Sequence, residues 1–193
     1  MFEYIKGDIK EITPTHLVLE SGGIGYFIHI SLNTYTALNK QTSCTLPVHL
    51  QVKEDSQTLF GFAEFAEREI FRLLISVSGI GANTARVMLS SLKPEEIKAA
   101  IMRQEVSILT NIKGIGMKTA QRAIIELKDK IAKTDITESA ELSSGVSNGS
   151  EAVSALVMLG FVKAKAEKAV NGILKKEPDL NVEELIKKAL KIL

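Results

Sequence analysis

Hydrophobic positions along this chain change their period once, near residue 63. Before it, Ile24, Tyr26, Ile28 and Ile30 alternate with Gly25, Phe27, His29 and Ser31, the two-residue period of a strand with one buried face. Residues 2–9, 17–19, 46–52 and 58–62 are further short runs rich in apolar and β-branched side chains. Turn-forming segments separate the runs: Thr13-Pro14-Thr15, Ser21-Gly22-Gly23 and Lys53-Glu54-Asp55-Ser56. Five or so short strands with tight turns predict a small barrel of the oligonucleotide/oligosaccharide-binding (OB) type. A barrel that reads bases carries aromatic side chains for stacking. Here Tyr4, Tyr26, Phe27 and Phe60 are scattered, with Phe27 on the opposite strand face from Tyr26, and core packing is expected for most of them.

From Glu64 the period becomes helical. Ile70, Leu73, Leu74 and Val77 form one apolar stripe, and a tight turn follows. Residues 73–127 then repeat themselves at an offset of 35 positions. Leu73-Leu74, Val77, Gly79-Ile80-Gly81 and Thr84-Ala85 return as Ile108-Leu109, Ile112, Gly114-Ile115-Gly116 and Thr119-Ala120. Downstream, Met88, Leu89 and Leu92 are answered by Ala123, Ile124 and Leu127. Two copies are too few for a solenoid, so the pattern predicts one compact unit of two equivalent helical hairpins. Pro94 suits the first position of an intervening helix, with Glu95 and Glu96 favourable against its dipole.

Residues 133–149 are rich in Ser, Thr, Gly and Asn, with few large apolar residues, and read as a flexible linker. Three helical stripes follow: Val153, Leu156 and Val157; Ala166, Ala169, Val170, Ile173 and Leu174; Leu185, Ile186, Ala189 and Leu190. Gly160 is expected to end the first in a left-handed C-cap, and Asn181 with Glu184 to open the third in a capping box. The chain is therefore a multidomain α+β protein. It has a barrel over 1–63, a tandem hairpin unit over 64–132, a linker over 133–149 and a three-helix bundle over 150–193.

Net charge is +1 overall, but the excess is uneven: residues 64–132 hold eleven Lys/Arg against eight Asp/Glu, whereas residues 1–63 hold four against six. The positive side of the balance lies in the repeated segment. A single cysteine, Cys44, excludes an intramolecular disulfide and fits a reducing compartment. No membrane-length apolar stretch or signal-like start is present in the sequence, which places the protein in the cytoplasm as an expectation, with no membrane partner.

A Gly-Ile-Gly turn that opens a helix leaves backbone N–H groups directed outward, and the helix dipole adds roughly half a positive charge there. Phosphate is the matching ligand, and such contacts are blind to base sequence. The plainer alternative is that both glycines only join packed helices. Lys118 favours the phosphate reading, because a cation in the first turn opposes the dipole unless an anion is also bound. Arg122 lies one turn further on. In the first repeat Asn83 stands at the Lys118 position and Arg86 follows, a weaker version. The candidate phosphate-binding set is Gly79, Ile80, Gly81, Asn83 and Arg86 with Gly114, Ile115, Gly116, Lys118, Thr119 and Arg122.

Gly-Ile-Gly-x-Lys-Thr-Ala after an apolar helix resembles the helix-hairpin-helix motif of DNA-binding proteins. Together with Gly22-Gly23-Ile24-Gly25-Tyr26, the run from Val52 to Phe62, and the order of domains, the whole chain resembles the RuvA family of Holliday-junction recognition subunits. The resemblance implies a homotetrameric plate, paired in some assemblies as an octamer, gripping four-way junction DNA in grooves lined by the hairpins. It implies that Glu54 and Asp55 form an acidic pin at the crossover, where carboxylates repel phosphates and favour an open junction. It further implies that the terminal bundle contacts a hexameric RuvB-type ATPase, with Leu159, Phe161 and Leu190 as candidate contacts, and that a RuvC-type resolvase is a further partner. Two positions depart from the family's pattern: Met117 precedes Lys118 where a second basic residue is expected, and Asn83 carries no charge.

No cofactor, metal or catalytic residue is assigned. Gly116-Met117-Lys118-Thr119 lacks the spacing of a nucleotide-phosphate loop, so ATP hydrolysis is expected of a partner. His16, His29 and His49 have no companions at metal-ligand spacing. The enzymatic alternative is a helix-hairpin-helix DNA glycosylase using Lys118 with Asp135; few aromatics are available to wall a flipped base. A non-catalytic adaptor whose hairpins merely pack is the third reading.

Overall fold

The computed structural model describes residues 2–143, 148–175, 177–178 and 180–193, and of residues 133–143 it describes the backbone alone. Two compact units result, Met1–Ala132 and Lys133–Leu193. Asp135 and most of the segment 133–149, read above as a linker, lie outside the residues whose side chains are described.

The first unit opens with five strands: β1 (Tyr4–Ile12), β2 (His16–Ser21), β3 (Ile24–Ile30), β4 (Ser43–Val52) and β5 (Gln57–Gly61). They close into a barrel in the order β1-β2-β3-β5-β4. Antiparallel pairings supply four of the seams, three of them hairpins and one between β1 and β4, and a parallel pairing of Ile28–Ile30 on β3 with Leu59–Gly61 on β5 completes the ring. Closure leaves no open sheet edge. Alternation puts Ile5, Leu17, Leu19, Ile28, Ile30, Leu46 and Val48 inside. Each fully buried side chain of this size stabilises the fold by roughly 1.5–3 kcal/mol.

A short helix, α1 (Leu32–Leu38), sits between β3 and β4 and adds Leu38 to the barrel core. The alternation signal did not predict it. Its seven residues show only Leu32, Tyr35 and Leu38 at helical spacing, too few to stand out. Of the four aromatics, most of which were expected in the core, Phe60 is buried and Tyr26 packs partly against the barrel interior. Tyr4 and Phe27 are instead more than half exposed, because each lies on the outward face of its strand. Phe27 stacks on His16 at 4.5 Å between ring centroids and meets His29 edge-on at 5.2 Å.

Helices α2 (Phe65–Ile75), α3 (Ala82–Ser91), α4 (Pro94–Met102), α5 (Val106–Thr110) and α6 (Met117–Ser143) follow. Their core runs from Ile70, Phe71 and Leu74 through Met88, Leu89 and Ile97 to Leu127 and Ile131. It also takes in Phe60 and Phe62 of the barrel, whose rings lie 5.1 and 4.9 Å from Phe71. Barrel and hairpins therefore share apolar packing across residue 63. Two adjacent charges on α2 strengthen the seam. Glu67 is 3% exposed and accepts hydrogen bonds from Ser31, from Thr34 Oγ1 at 2.7 Å and from the Ala63 N–H at 3.3 Å. Burial pushes its carboxyl above the usual range, while those three donors pull it back. Arg68 is equally buried and donates to the Glu3 carbonyl at 2.7 Å and to the Glu3 carboxylate.

The second unit contains a bundle of α7 (Asn148–Met158), α8 (Lys163–Leu174) and α9 (Val182–Leu190) around Leu156, Ala166, Val170 and Leu185. Gly160 adopts φ +97°, and the N–H of Phe161 reaches the Leu156 carbonyl at 3.1 Å, the Schellman ending expected there. Asn181 and Glu184 form the expected capping box, with Glu184 N–H donating to Asn181 Oδ1 at 2.9 Å. Among the described residues no helix is long and apolar enough to cross a membrane.

Candidate nucleic-acid interface

The two hairpins carry the same turn. Gly79 and Gly114 both sit at φ +97°, a region that side-chain-bearing residues rarely adopt. In each, the isoleucine after the glycine donates its N–H back across the turn, Ile80 to Val77 O at 3.0 Å and Ile115 to Ile112 O at 3.1 Å. Their side chains are buried, 4% and 6% exposed. The turns therefore use Ile80 and Ile115 as core anchors whose N–H groups are already taken, so neither offers a donor to phosphate. The available donors lie one step on. Gly81 is the N-cap of α3 and has no side-chain cap; the α3 first turn holds no acidic residue, and neither does that of α6. In α4, by contrast, Glu95 and Glu96 occupy the first turn and Glu96 accepts the Lys93 N–H at 2.7 Å. Bare positive helix ends at both hairpins match an anion.

Side chains distinguish the two. Lys118 is exposed in the first turn of α6, and Lys113, which the sequence reading passed over, is exposed on the near side of Gly114. The run Lys113-Gly114-Ile115-Gly116-x-Lys118 was the available signal: two lysines bracketing one turn. At the first hairpin the equivalent positions are Ser78 and Asn83, both without charge. Arg122 does not stay with its own turn; its Nη1 donates to the Ser78 carbonyl at 3.1 Å, bringing a cation to hairpin one. Arg86 points the other way. Its Nη1 donates to Thr15 O on the barrel at 2.9 Å and lies 3.4 Å from His29 Nδ1. Burial holds its guanidinium below the ordinary arginine value. For His29, burial first, then Arg86 and His16, hold the imidazole below its usual range.

Thr119 is half-buried and packs toward the other hairpin: a methyl group on Gly79 would meet its Oγ1 at 3.6 Å. Thr84 answers it, with its Cγ2 3.7 Å from a methyl built on Gly114. The repeated threonines thus hold the two turns against each other.

Glu54 and Asp55 lie at the tip of the β4–β5 hairpin beyond the Val52–Gln57 pair, in a loop closed by Lys53 N–H to Ser56 O at 2.8 Å. Both are exposed, and Ser56 Oγ donates to Asp55 Oδ1 at 3.2 Å. The structure thus presents two carboxylates at one outward turn. In the second unit Leu159 and Leu190 are exposed, while Phe161 packs partly on the bundle core. Met158 and Val162, which the sequence reading left out, are more exposed than either and flank the same α7–α8 turn. Among the described residues no group of three His, Cys, Asp or Glu could hold a metal ion.

Three family models match consecutive parts of the chain: the RuvA N-terminal domain over residues 1–61, the SAM-like helix-hairpin-helix tandem over 71–129, and the RuvA C-terminal domain over 147–193. Relatives named Holliday junction branch migration complex subunit RuvA align along nearly the entire length. The protein of Parabacteroides distasonis is 52% identical over 196 residues, covering 100% of both chains. That of Christiangramia forsetii is 50% identical over 191 residues, and one from Bacteroides fragilis 49% over 199, each covering 99% of both chains. By domain matches, full-length identity and paired hairpins together, this chain belongs to the RuvA family.

Proposed function

We propose that the chain binds four-way DNA junctions through their phosphates, without regard to base sequence, as the DNA-gripping subunit of a branch-migration complex. The observation that carries this reading is the pair of superimposable glycine turns with bare helix starts, held in one unit with a barrel that presents Glu54 and Asp55. The backbone N–H groups that follow Gly81 and Gly116, with Lys113, Lys118 and Arg122, form the phosphate grip. Junction preference comes from geometry: four subunits around a crossover would each set an acidic tip beside it, where like charge keeps the strands apart. The exposed residues Met158, Leu159, Val162 and Leu190 supply the apolar face for a RuvB-type motor, which provides the ATP hydrolysis; a RuvC-type resolvase and a second tetramer complete the proposed assembly in the cytoplasm. The glycosylase alternative is not favoured, since Lys118 is exposed in the first turn of α6 and the chain belongs to the RuvA family.

Gel-shift titration of a four-way junction and a linear duplex, over a series of salt concentrations and paired with light scattering, tests the proposal. Expected are a tetramer, a junction affinity at least about tenfold above duplex, and a log-affinity slope against log salt of about −0.9 per phosphate engaged. Equal affinity for the two DNAs would overturn it.

A further inference from the structure

Arg86 sits beside one of the two phosphate-binding turns, yet its guanidinium is turned into the barrel. Nη1 donates to the Thr15 carbonyl, which already accepts the Ile30 N–H at 3.1 Å, so the contact lands where β2 and β3 meet. His29 beside it belongs to β3, and its ring lies 5.2 Å from Phe27 and 5.7 Å from Phe60. His29 is paired in register with Phe60 of β5, the strand that descends directly from the Glu54-Asp55 tip. A side chain on the hairpin helix α3 is thus one strand away from the element that carries the acidic turn.

The rest of α3 is tied to the barrel along the same face. Ser90, one helical turn after Arg86, accepts the Leu32 N–H at 3.0 Å. Asn33 Nδ2 donates to the carbonyls of Leu89 at 2.6 Å and Leu92 at 3.1 Å. Those contacts secure the C-terminal end of α3. Arg86 alone among the described hydrogen bonds secures its middle, close to the glycine turn.

We propose that Arg86 is a positioning residue for junction recognition: it fixes the first hairpin on the barrel, and so sets the acidic tip relative to the phosphate grip, without itself touching DNA. A guanidinium engaged with a backbone carbonyl in a half-buried seam has its charge directed away from the surface that a duplex would cover. The role rests on the junction-binding reading above, and it predicts a signature that a phosphate ligand would not give. Loss of a phosphate contact weakens duplex and junction alike and lowers the salt slope by about one. Loss of a positioning contact leaves the duplex untouched and erodes only the preference for the junction.

The test compares the full-length wild type with Arg86→Gln and Arg86→Ala in the same salt-series titrations, with melting temperature recorded for each. Glutamine carries no charge and ends two bonds short of Nη1, so it releases the Thr15 carbonyl as alanine does while keeping a polar side chain. Expected for Arg86→Gln are unchanged salt slopes and a junction-to-duplex ratio reduced about fivefold, because the contact is lost. Expected for Arg86→Ala are an unchanged duplex affinity and slope with the junction-to-duplex ratio reduced about fivefold. A salt slope lowered by about one in Arg86→Gln makes Arg86 a phosphate ligand and overturns the proposal. So does an Arg86→Ala protein that melts lower but keeps its full junction preference, which would make the contact structural only. Should Arg86→Ala fail to fold, the slope of Arg86→Gln still decides. A wild type without junction preference refutes the junction reading itself, a result separate from either variant's slope on duplex.

Discussion

In the first hairpin the helix after the glycine turn faces the barrel; in the second, the helix after the same turn offers lysines to solvent. Both turns hold glycine at φ +97° and close with the same hydrogen bond, but α3 gives Arg86, Ser90 and two carbonyls to the barrel. Around α6, Lys113 and Lys118 stay exposed, and Arg122 reaches back to the first turn. Duplication thus produced two glycine turns of the same shape, of which one is also the attachment point to the barrel. A third turn with φ +97° at Gly160 makes the contrast sharper. There Val162, not a glycine, is the N-cap of the next helix, again with no side-chain cap and no acidic first turn, and it adds an exposed apolar side chain. The glycine φ is common to all three, but Phe161 N–H reaches back to Leu156 where Ile80 and Ile115 reach only to Val77 and Ile112, and the residue two places after the glycine differs.

The comparison breaks most visibly if the attachment is removed. Glu67→Ala leaves the donors of Ser31, Thr34 and Ala63 without their buried acceptor and is expected to destabilise the first unit by about 2–3 kcal/mol, measured by urea unfolding. A loss under about 0.5 kcal/mol would mean that apolar packing alone joins barrel and hairpins. A smaller effect, on binding alone, separates the two turns. Lys118→Ala should lower the salt slope by about 0.9 and weaken junction and duplex together, while Asn83→Ala leaves the slope unchanged. Equal effects would make the two turns equivalent in duty as well as in shape.

The smallest expected effect is on pH. His29 and His49 are held below the ordinary imidazole value of 6.5, first by burial and then by neighbouring arginines. The unfolded chain therefore takes up protons before the folded one does, so the stability these groups contribute is complete above 6.5 and is lost as pH falls through the folded values. Melting temperatures between pH 7.5 and 5.5 should fall less steeply for His29→Gln than for wild type. Parallel curves would remove His29 from the attachment.

The five strands, both glycine turns, Pro94 at the start of α4, the Gly160 ending and the Asn181 capping box were legible because each is a local signal, written within about ten residues. The buried pair Glu67 and Arg68 was not, since their partners stand at residues 31, 34 and 3, and a charge on a helix reads as solvated until those partners are known. The contact of Arg86 with the barrel was illegible for the same reason: its acceptor is 71 positions away. Ile80 and Ile115 were misjudged differently. The pattern located the turn correctly, but an apolar residue between two glycines goes inward and closes the turn with its own N–H, so the open donors begin one residue later.

Thr119 bears on Gly79 and Thr84 on Gly114, each a side chain seated on the other hairpin's backbone. The distance between the two bare helix starts is consequently a property of two threonine side chains. A change of size at either threonine would therefore shift one helix start against the other. The same contacts give a reason for the threonine five residues after each turn glycine. The relative placement of the two turns is thereby set by a pair of contacts between the hairpins, one on each glycine.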